Sequence, residues 1–366
     1  MSPTDTPARQ LEDLVATCHV IVCCGSGGVG KTTSAAVIAL EAARIGRRAV
    51  VVTIDPARRL ADALGLAGLT NKPAVIAGDW PGEMWAMMLD TESTFNELVA
   101  RYAGSTEQAD KILDNRFYRN IASAMSGTQE YMASEKLYEL ATNGAFDLIV
   151  VDTPPTRNAL DFLEAPNRLA RFLDHRLYRL VTAPTRGLVK AVNVAAQRFF
   201  RSVGKVVGGE VIADAIAFFA AFDGMEEGFK ERAQQVDRLL REDDTAFLLI
   251  ASPHADTVVE TAYFAERLSE LSITVRALVV NRVHPDPGGG TPEEAAARAV
   301  SLAGTPLGAQ YAALAGLREI ALGEAAHLVA LEEQVAPAPV CRVPYLAVEV
   351  HDLVTLELFA DALFER

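Results

Sequence analysis

The sequence predicts an α/β fold in which a mainly parallel β-sheet has helices on both faces and carries an inserted α-helical lobe. Short apolar runs recur along the 366-residue chain, separated by segments with helical periodicity. These runs lack apolar–polar alternation, which is typical of parallel strands buried on both faces. A Gly-rich segment, Gly25–Thr33, lies between the first apolar run and the first helical segment, as in phosphate-binding α/β proteins.

The predicted strands are short apolar runs bounded by polar residues or glycine. They are His19–Cys24, Ala49–Ile54, Met84–Leu89, Phe146–Val151, Ala246–Ala251, Val275–Val280 and Val340–Val343. The first helix is predicted over Lys31–Ile45, because Gly46 then stands where glycine commonly ends a helix. The closing helix is predicted over Asp352–Phe364.

Two long stretches between strands have helical patterns broken by glycines. We therefore predict one domain over residues 11–366 with helical insertions at about 91–143 and 156–242. The insertions would form the helical lobe. Residues 1–10 are polar and contain prolines, and we expect them to be disordered.

Composition and charge exclude several classes of protein. The chain has 34 basic and 48 acidic residues, a net charge of −14, which argues against a nucleic-acid partner. The longest apolar run near the middle, 215–222, is far shorter than the roughly 20 residues that span a bilayer. No secretory signal pattern is present at the N-terminus. We expect a cytoplasmic protein. Peripheral association with the inner face of the membrane is the alternative location.

The four cysteines show no Cys-x-x-Cys spacing. They are Cys18, Cys23, Cys24 and Cys341. We expect buried, reduced thiols rather than disulfides or a zinc site.

The Gly-rich segment fits the pattern of a glycine, four residues and then Gly-Lys-Thr. Its residues are Gly25, Ser26, Gly27, Gly28, Val29, Gly30, Lys31, Thr32 and Thr33. Glycines let backbone N–H groups close around an anion, and the following helix presents its positive end to the same anion. Lys31 would reach the β- and γ-phosphates, and the Thr32 hydroxyl would bind Mg²⁺. The segment predicts binding of a nucleoside triphosphate.

Two aspartates and one asparagine follow predicted strands, at the sheet edge where such folds bind ligands. Asp152 would hold Mg²⁺ through its water shell, and Asp55 would position or deprotonate the attacking water. Asn281 follows the predicted strand Val275–Val280, so it is expected at the same edge of the sheet. Aspartate after a strand is also a common helix N-cap, and that alternative stays open for both carboxylates.

Together these segments resemble the ArsA-type ATPases, the family of the arsenite-pump ATPase and of the guided-entry targeting factor for tail-anchored membrane proteins. That family belongs to the deviant-Walker P-loop NTPase class that includes MinD and ParA. The resemblance rests on Gly25–Thr33 as the P-loop, Thr53–Leu64 as the first switch, Asp152–Leu163 as the second switch, and Asn281 with Val343–Leu346 at the adenine-contacting positions.

The resemblance implies a dimer that binds ATP or ADP with Mg²⁺ near its interface and opens and closes with hydrolysis. By position, the site residues would be Lys31 and Asp55 for catalysis, Thr32 and Asp152 for Mg²⁺, and Asn281, Val343 and Pro344 for adenine. The helical lobe would face a client, and an integral-membrane protein is the expected partner or client.

The chain departs from the family pattern at three places. Ser26 replaces the signature lysine that crosses to the nucleotide of the partner subunit. Arg157-Asn158 replaces a Gly-His pair in the second switch, and Arg157 is either a cation near the γ-phosphate or an ordinary surface arginine. No Cys pair follows Asn281, which argues against a zinc-clamped homodimer, and the dispersed cysteines cannot form a soft trap for arsenite or antimonite, which argues against arsenite extrusion.

The leading hypothesis is an ATP-hydrolysing dimeric switch that energises anion transport or delivery of a membrane-protein client. The alternative is a noncatalytic or regulatory ATP-binding subunit. It would pair with a related ArsA-like chain that supplies the lysine, as in the paired actinobacterial ArsA-like ATPases that the sequence resembles. A ParA/MinD-like positioning ATPase and a small-molecule kinase are weaker candidates, because the C-terminal helix is acidic and no substrate-phosphate clamp is evident.

Overall fold

The computed structural model describes residues 6–54, 59–116, 128–154, 161–168, 171, 214, 217–218, 221 and 224–366. The strands are β1 Val20–Gly25, β2 Arg48–Thr53, β3 Ala74–Ile76, β4 Glu83–Met88, β5 Leu148–Asp152, β6 Thr245–Ala251, β7 Val275–Val283 and β8 Val340–Pro344. They form an eight-stranded sheet in the order β3-β4-β2-β5-β1-β6-β7-β8. Every neighbouring pair is parallel except β3 with β4.

The described helices are α1 Pro7–Thr17, α2 Lys31–Arg44, α3 Arg59–Ala63, α4 Thr91–Tyr102, α5 Thr106–Leu113, α6 Thr128–Thr142, α7 Glu226–Leu239, α8 Ala255–Glu270, α9 Pro292–Ser301, α10 Pro306–Val335 and α11 Leu353–Leu363. Helices α1, α2 and α11 share one apolar core with one face of the sheet. Every residue of the central strand β1 is buried, so the opposite face is covered as well. The predicted fold class is confirmed.

The chain divides into two compact units. The first comprises Met1–Met88, Gly144–Leu160 and Asp243–Arg366, and it contains the whole sheet. The second comprises Leu89–Asn143 and Asp161–Glu242, and its described secondary structure is helical. No helix in the described parts of either unit combines the length and apolarity needed to cross a bilayer.

Two parts of the sheet unit differ from the sequence prediction. Residues 7–10 belong to α1 and are not disordered, because Thr6 caps the helix by accepting a hydrogen bond from the Arg9 amide and its apolar side lies in the core. The rest of the segment predicted to be disordered, 1–5, lies outside the described residues. The edge strand β3 is absent from the prediction, since three residues are too short to show a period.

Candidate functional site

The phosphate loop connects β1 to α2, and its glycines are needed for three different reasons. At Gly25, a Cβ atom would lie 2.0 Å from the carbonyl oxygen of Ile250 on the adjacent strand β6. Gly28 and Gly30 have positive φ angles of 78° and 97°, which residues with a Cβ rarely adopt. A Cβ at Gly30 would also lie 2.3 Å from the Asn281 amide nitrogen. Gly25 is therefore required by the packing of β1 against β6, and Gly28 and Gly30 are required by the conformation of the loop.

Lys31 is the first residue of α2 and lies within the loop. Its side chain is buried, and Nζ donates a hydrogen bond to the Ser26 carbonyl oxygen at 2.7 Å. Ser26 itself is 1% exposed, and its hydroxyl has no hydrogen-bond partner in the described part of the chain. The ammonium group is thus held in the concavity of the loop, while the Ser26 side chain points into the protein.

The Thr32 hydroxyl and the Asp152 carboxylate are brought together by the sheet. Thr32 Oγ1 donates to Asp152 Oδ2 at 2.8 Å, and Thr53 Oγ1 donates to the same oxygen at 2.9 Å. The β2–β5 register places Thr53 directly beside Asp152. These are hard oxygen donors, the type of ligand that Mg²⁺ prefers. The residues present therefore fit a magnesium site beside the phosphate loop.

Asn281 lies inside β7 and not just beyond its end. Its Nδ2 donates to the Val29 carbonyl oxygen at 2.9 Å, and its side chain is buried. The strand continues to Val283 because pairing with β8 resumes after an irregularity between Val280 and Val283. In this structure Asn281 thus holds the phosphate loop, and its contact with adenine stays a prediction.

Val343 and Pro344 lie at the carboxyl end of β8, beside the end of β7. The Val343 side chain is buried in the core that α1, α2 and α11 form with the sheet, so only its backbone could contact a base. Pro344 is exposed, and the next residue, Tyr345, donates its amide to the Val283 carbonyl oxygen at 2.9 Å. Adenine binding by Val343 and Pro344 stays a prediction.

Two predicted site residues lie outside the described residues. They are Asp55, in the gap between β2 and α3, and Arg157, in the gap after Asp152-Thr153-Pro154. Their expected roles as the water-positioning carboxylate and as a cation near the γ-phosphate stay predictions. The N-terminal part of the second switch is described, and there Thr153 Oγ1 donates to the Cys23 carbonyl oxygen at 2.8 Å.

Two residues contact the site in ways that the sequence did not predict: Thr53, known only as the start of the first switch, and Arg282. Thr53 orients Asp152, and Arg282 Nη1 donates to the Gly28 carbonyl oxygen at 3.1 Å. Thr53 could have been found from its place at the end of a strand, two residues before Asp55. Arg282 gives no comparable signal, because a single arginine near the end of a strand is common.

The four cysteines are free and buried, as the sequence predicts. Burial raises the pKa of the Cys24 thiol to about 12 and that of the Cys341 thiol to about 12. Burial also raises the pKa of the Cys23 thiol well above its usual value and that of the Cys18 thiol to a smaller extent. The thiols beside the phosphate loop are therefore protonated near neutral pH and are poor nucleophiles.

We expect none of the 4 cysteines to react with the coloured disulfide reagent DTNB in the folded protein. The reason is that each thiol is both buried and protonated, and the thiolate is the reactive form. Absorbance titration at neutral pH should show no thiol in native buffer and all of them in denaturant. Rapid reaction of one native thiol would show that this cysteine is more accessible than its burial indicates.

Comparisons with known proteins agree with this geometry. The family model for the anion-transporting ATPases of the ArsA type matches residues 18–298 of the chain. ATPase get3 of Aspergillus terreus is 24% identical over 343 residues, which cover 93% of this chain and 88% of that protein. ATPase GET3 of Malassezia globosa is 27% identical over 269 residues, which cover 73% of this chain and 74% of that protein.

A plant relative shows a similar level of likeness. ATPase GET3A of Arabidopsis thaliana is 26% identical over 262 residues, which cover 71% of this chain and 65% of that protein. The family resemblance carried by the P-loop and switch segments is thereby confirmed over most of the chain. The chain belongs to the ArsA family of anion-transporting ATPases, and it is an ATPase.

Proposed function

We propose that this ATPase binds ATP with Mg²⁺ at Gly25–Thr33 and hydrolyses it as a dimeric switch that drives delivery of a membrane-protein client. The observation that carries the nucleotide site is the 2.8 Å contact between Thr32 Oγ1 and Asp152 Oδ2. A hydroxyl at the start of a helix and a carboxylate at the end of a neighbouring strand are the usual protein ligands of Mg²⁺ in P-loop NTPases, the carboxylate acting through water.

The chain's own groups would act mainly by position and charge. On nucleotide binding, Lys31 Nζ would exchange its hydrogen bond to the Ser26 carbonyl oxygen for contacts with the β- and γ-phosphates. The positive N-terminus of α2 would face the same phosphates. Asp55 is the predicted group that orients the attacking water in line with the γ-phosphorus. When bound, Mg²⁺ neutralises charge on the phosphate oxygens. Preorganised donors of this kind supply most of the acceleration in phosphoryl transfer.

Client delivery is favoured over transport of arsenite or antimonite because the four cysteines are buried and protonated. Thiolates bind the soft arsenic(III) or antimony(III) centre of these ions, and all four thiols here are buried with raised pKa values. The relatives named GET3 support the same choice, because the sequence resembles the guided-entry branch of the family. We infer that the protein works at the inner face of a membrane in contact with an integral-membrane partner.

A second candidate function is supported by Ser26. This residue is 1% exposed and has no long cationic side chain, so it offers no charge to a partner's nucleotide. An arginine-finger type of contribution can be worth several orders of magnitude in rate. The chain would then be a regulatory subunit that binds ATP and needs a related chain with the signature lysine for turnover.

The first test is steady-state ATP hydrolysis by the purified chain, with Lys31→Ala as the inactive variant and Lys72→Ala as the matched control. Lys72 is an exposed lysine after α3, outside the P-loop and switch segments. We expect Lys31→Ala to lower turnover by about 100-fold, the usual cost of removing one preorganised donor. The Lys72→Ala variant should keep the wild-type rate.

The two candidate functions predict different results for the wild-type chain. Measurable turnover that depends on Lys31 supports the autonomous switch, and light scattering should then show a dimer with ATP that loosens with ADP. ATP binding without turnover supports the regulatory subunit. Failure to bind ATP at all would refute both. Binding of a fluorescent apolar peptide of about 20 residues, the length of a membrane span, tests the client class.

A further inference from the structure

The backbone at the end of β7 has an unusual conformation beside the phosphate loop. Arg282 has a φ angle of +65°, in the left-handed region, where a residue with a Cβ is disfavoured. The irregularity in β7–β8 pairing falls at the same place, between Val280 and Val283. A strained residue of this kind persists only when its surroundings hold it, and such residues cluster at functional sites.

The consequence of this conformation is that two successive side chains contact two successive peptide groups of the loop. Asn281 Nδ2 donates to the Val29 carbonyl oxygen at 2.9 Å. Arg282 Nη1 donates to the Gly28 carbonyl oxygen at 3.1 Å. In a regular strand, neighbouring side chains point to opposite faces, so they would not ordinarily reach the same loop. The irregularity in β7–β8 pairing therefore lets both side chains contact the phosphate loop.

Peptide planarity determines what these contacts do to the loop. In a trans peptide the N–H group points away from the carbonyl oxygen of the same unit. Holding the Gly28 and Val29 carbonyl oxygens toward β7 turns the N–H groups of Val29 and Gly30 toward the opposite side. No hydrogen bond within the described residues uses either N–H group. Successive N–H groups in a turn are a common anion site.

We propose that Arg282 is a positioning residue of the nucleotide site, which holds the Gly28 carbonyl oxygen so that the loop N–H groups face the β-phosphate. The proposal rests on the nucleotide binding proposed above. The Arg282 side chain is exposed, and the Gly28 contact is its only hydrogen bond within the described part of the chain. Its positive charge therefore also remains available at the edge of the loop, where Ser26 supplies none.

The test compares nucleotide affinity among variants of the full chain. Arg282→Ala removes the donor, Arg282→Gly removes it and relieves the strained φ angle, and Arg282→Lys keeps a cation. Arg276→Ala is the matched control, because Arg276 lies on the same strand and contacts one carbonyl oxygen, that of Asp243, at the other end. The dissociation constants of ATP and ADP are measured by calorimetry, together with the thermal unfolding midpoint.

We expect Arg282→Ala and Arg282→Gly to weaken ATP and ADP alike by about fivefold, the usual size for losing one hydrogen bond, because both nucleotides have a β-phosphate. Arg282→Lys should recover part of the loss, and Arg276→Ala should match the wild type. Arg282→Gly should unfold at or above the wild-type midpoint, which a merely structural role would not combine with weaker binding.

Three outcomes would overturn the proposal. Wild-type affinity in both Arg282→Ala and Arg282→Gly would show that the contact does not shape the loop. A loss confined to ATP would replace positioning with direct contact to the γ-phosphate. A wild-type chain that binds neither ATP nor ADP would refute the nucleotide site itself, and this proposal with it, while the first two outcomes leave that site intact.

Discussion

Asp152→Asn should lower ATP turnover by about 1000-fold, the upper part of the range for losing one electrostatic contact to a reacting group. Asp152 Oδ2 accepts hydrogen bonds from both Thr32 and Thr53. An asparagine oxygen can still accept such bonds, so the fold should persist. It lacks the negative charge that would hold the water shell of Mg²⁺. Turnover is measured as phosphate release over a range of Mg²⁺ concentrations.

Asp147→Asn is the matched control for this variant. Asp147 precedes β5, so it lies at the opposite end of the strand that Asp152 ends, and its Oδ2 accepts the Arg48 amide at 2.8 Å. We expect Asp147→Asn to keep the wild-type rate. With a chelator present, ADP should bind Asp152→Asn as it binds the wild type, since no metal then takes part in either protein. An unchanged turnover in Asp152→Asn would contradict the magnesium site.

The positions of Lys31, Thr32 and Asp152 can be predicted from the sequence, because each follows from a motif or from the end of a strand. The Gly-rich motif carries its own strand–loop–helix context, so it places Lys31 and Thr32 at the start of α2. Parallel strands end at one edge of a sheet, so Asp152 is expected beside them. Thr32 and Asp152 are 120 residues apart in sequence and lie 2.8 Å apart in the structure. The fold class predicts that both groups lie at the same sheet edge, and the pairing of β1 with β5 brings them into contact.

The remaining contacts depend on information that a single sequence does not display. The Thr53–Asp152 contact requires β2 and β5 to be neighbours in register, and strands buried on both faces have no alternation that would mark that register. The Arg282 contact requires a positive φ angle at a residue that is not glycine. The helix α1 was hidden because its capping residue, Thr6, is surrounded by prolines and polar residues typical of a disordered segment.

Gly25→Ala should lower the free energy of unfolding by at least about 3 kcal/mol, the upper range for forcing extra volume into a close-packed interior. The added Cβ would lie 2.0 Å from the Ile250 carbonyl oxygen. Gly25 pairs with Ile250 in the parallel β1–β6 register at the centre of the sheet. The contact is with backbone, so no side-chain rotation relieves it. Equilibrium denaturation of the nucleotide-free chain measures the change.

Gly27→Ala is the matched control, because among the described residues no neighbouring atom lies within 4 Å of a Cβ placed there. Both substitutions change the phosphate loop, so both can weaken nucleotide binding, but only Gly25→Ala should destabilise the sheet. A Gly25→Ala chain recovered only in aggregates, beside a folded Gly27→Ala chain, supports the same conclusion. Equal stability of the two variants would contradict it. On this argument the first glycine of the motif is required by strand packing, whereas Gly28 and Gly30 are required by the conformation of the loop.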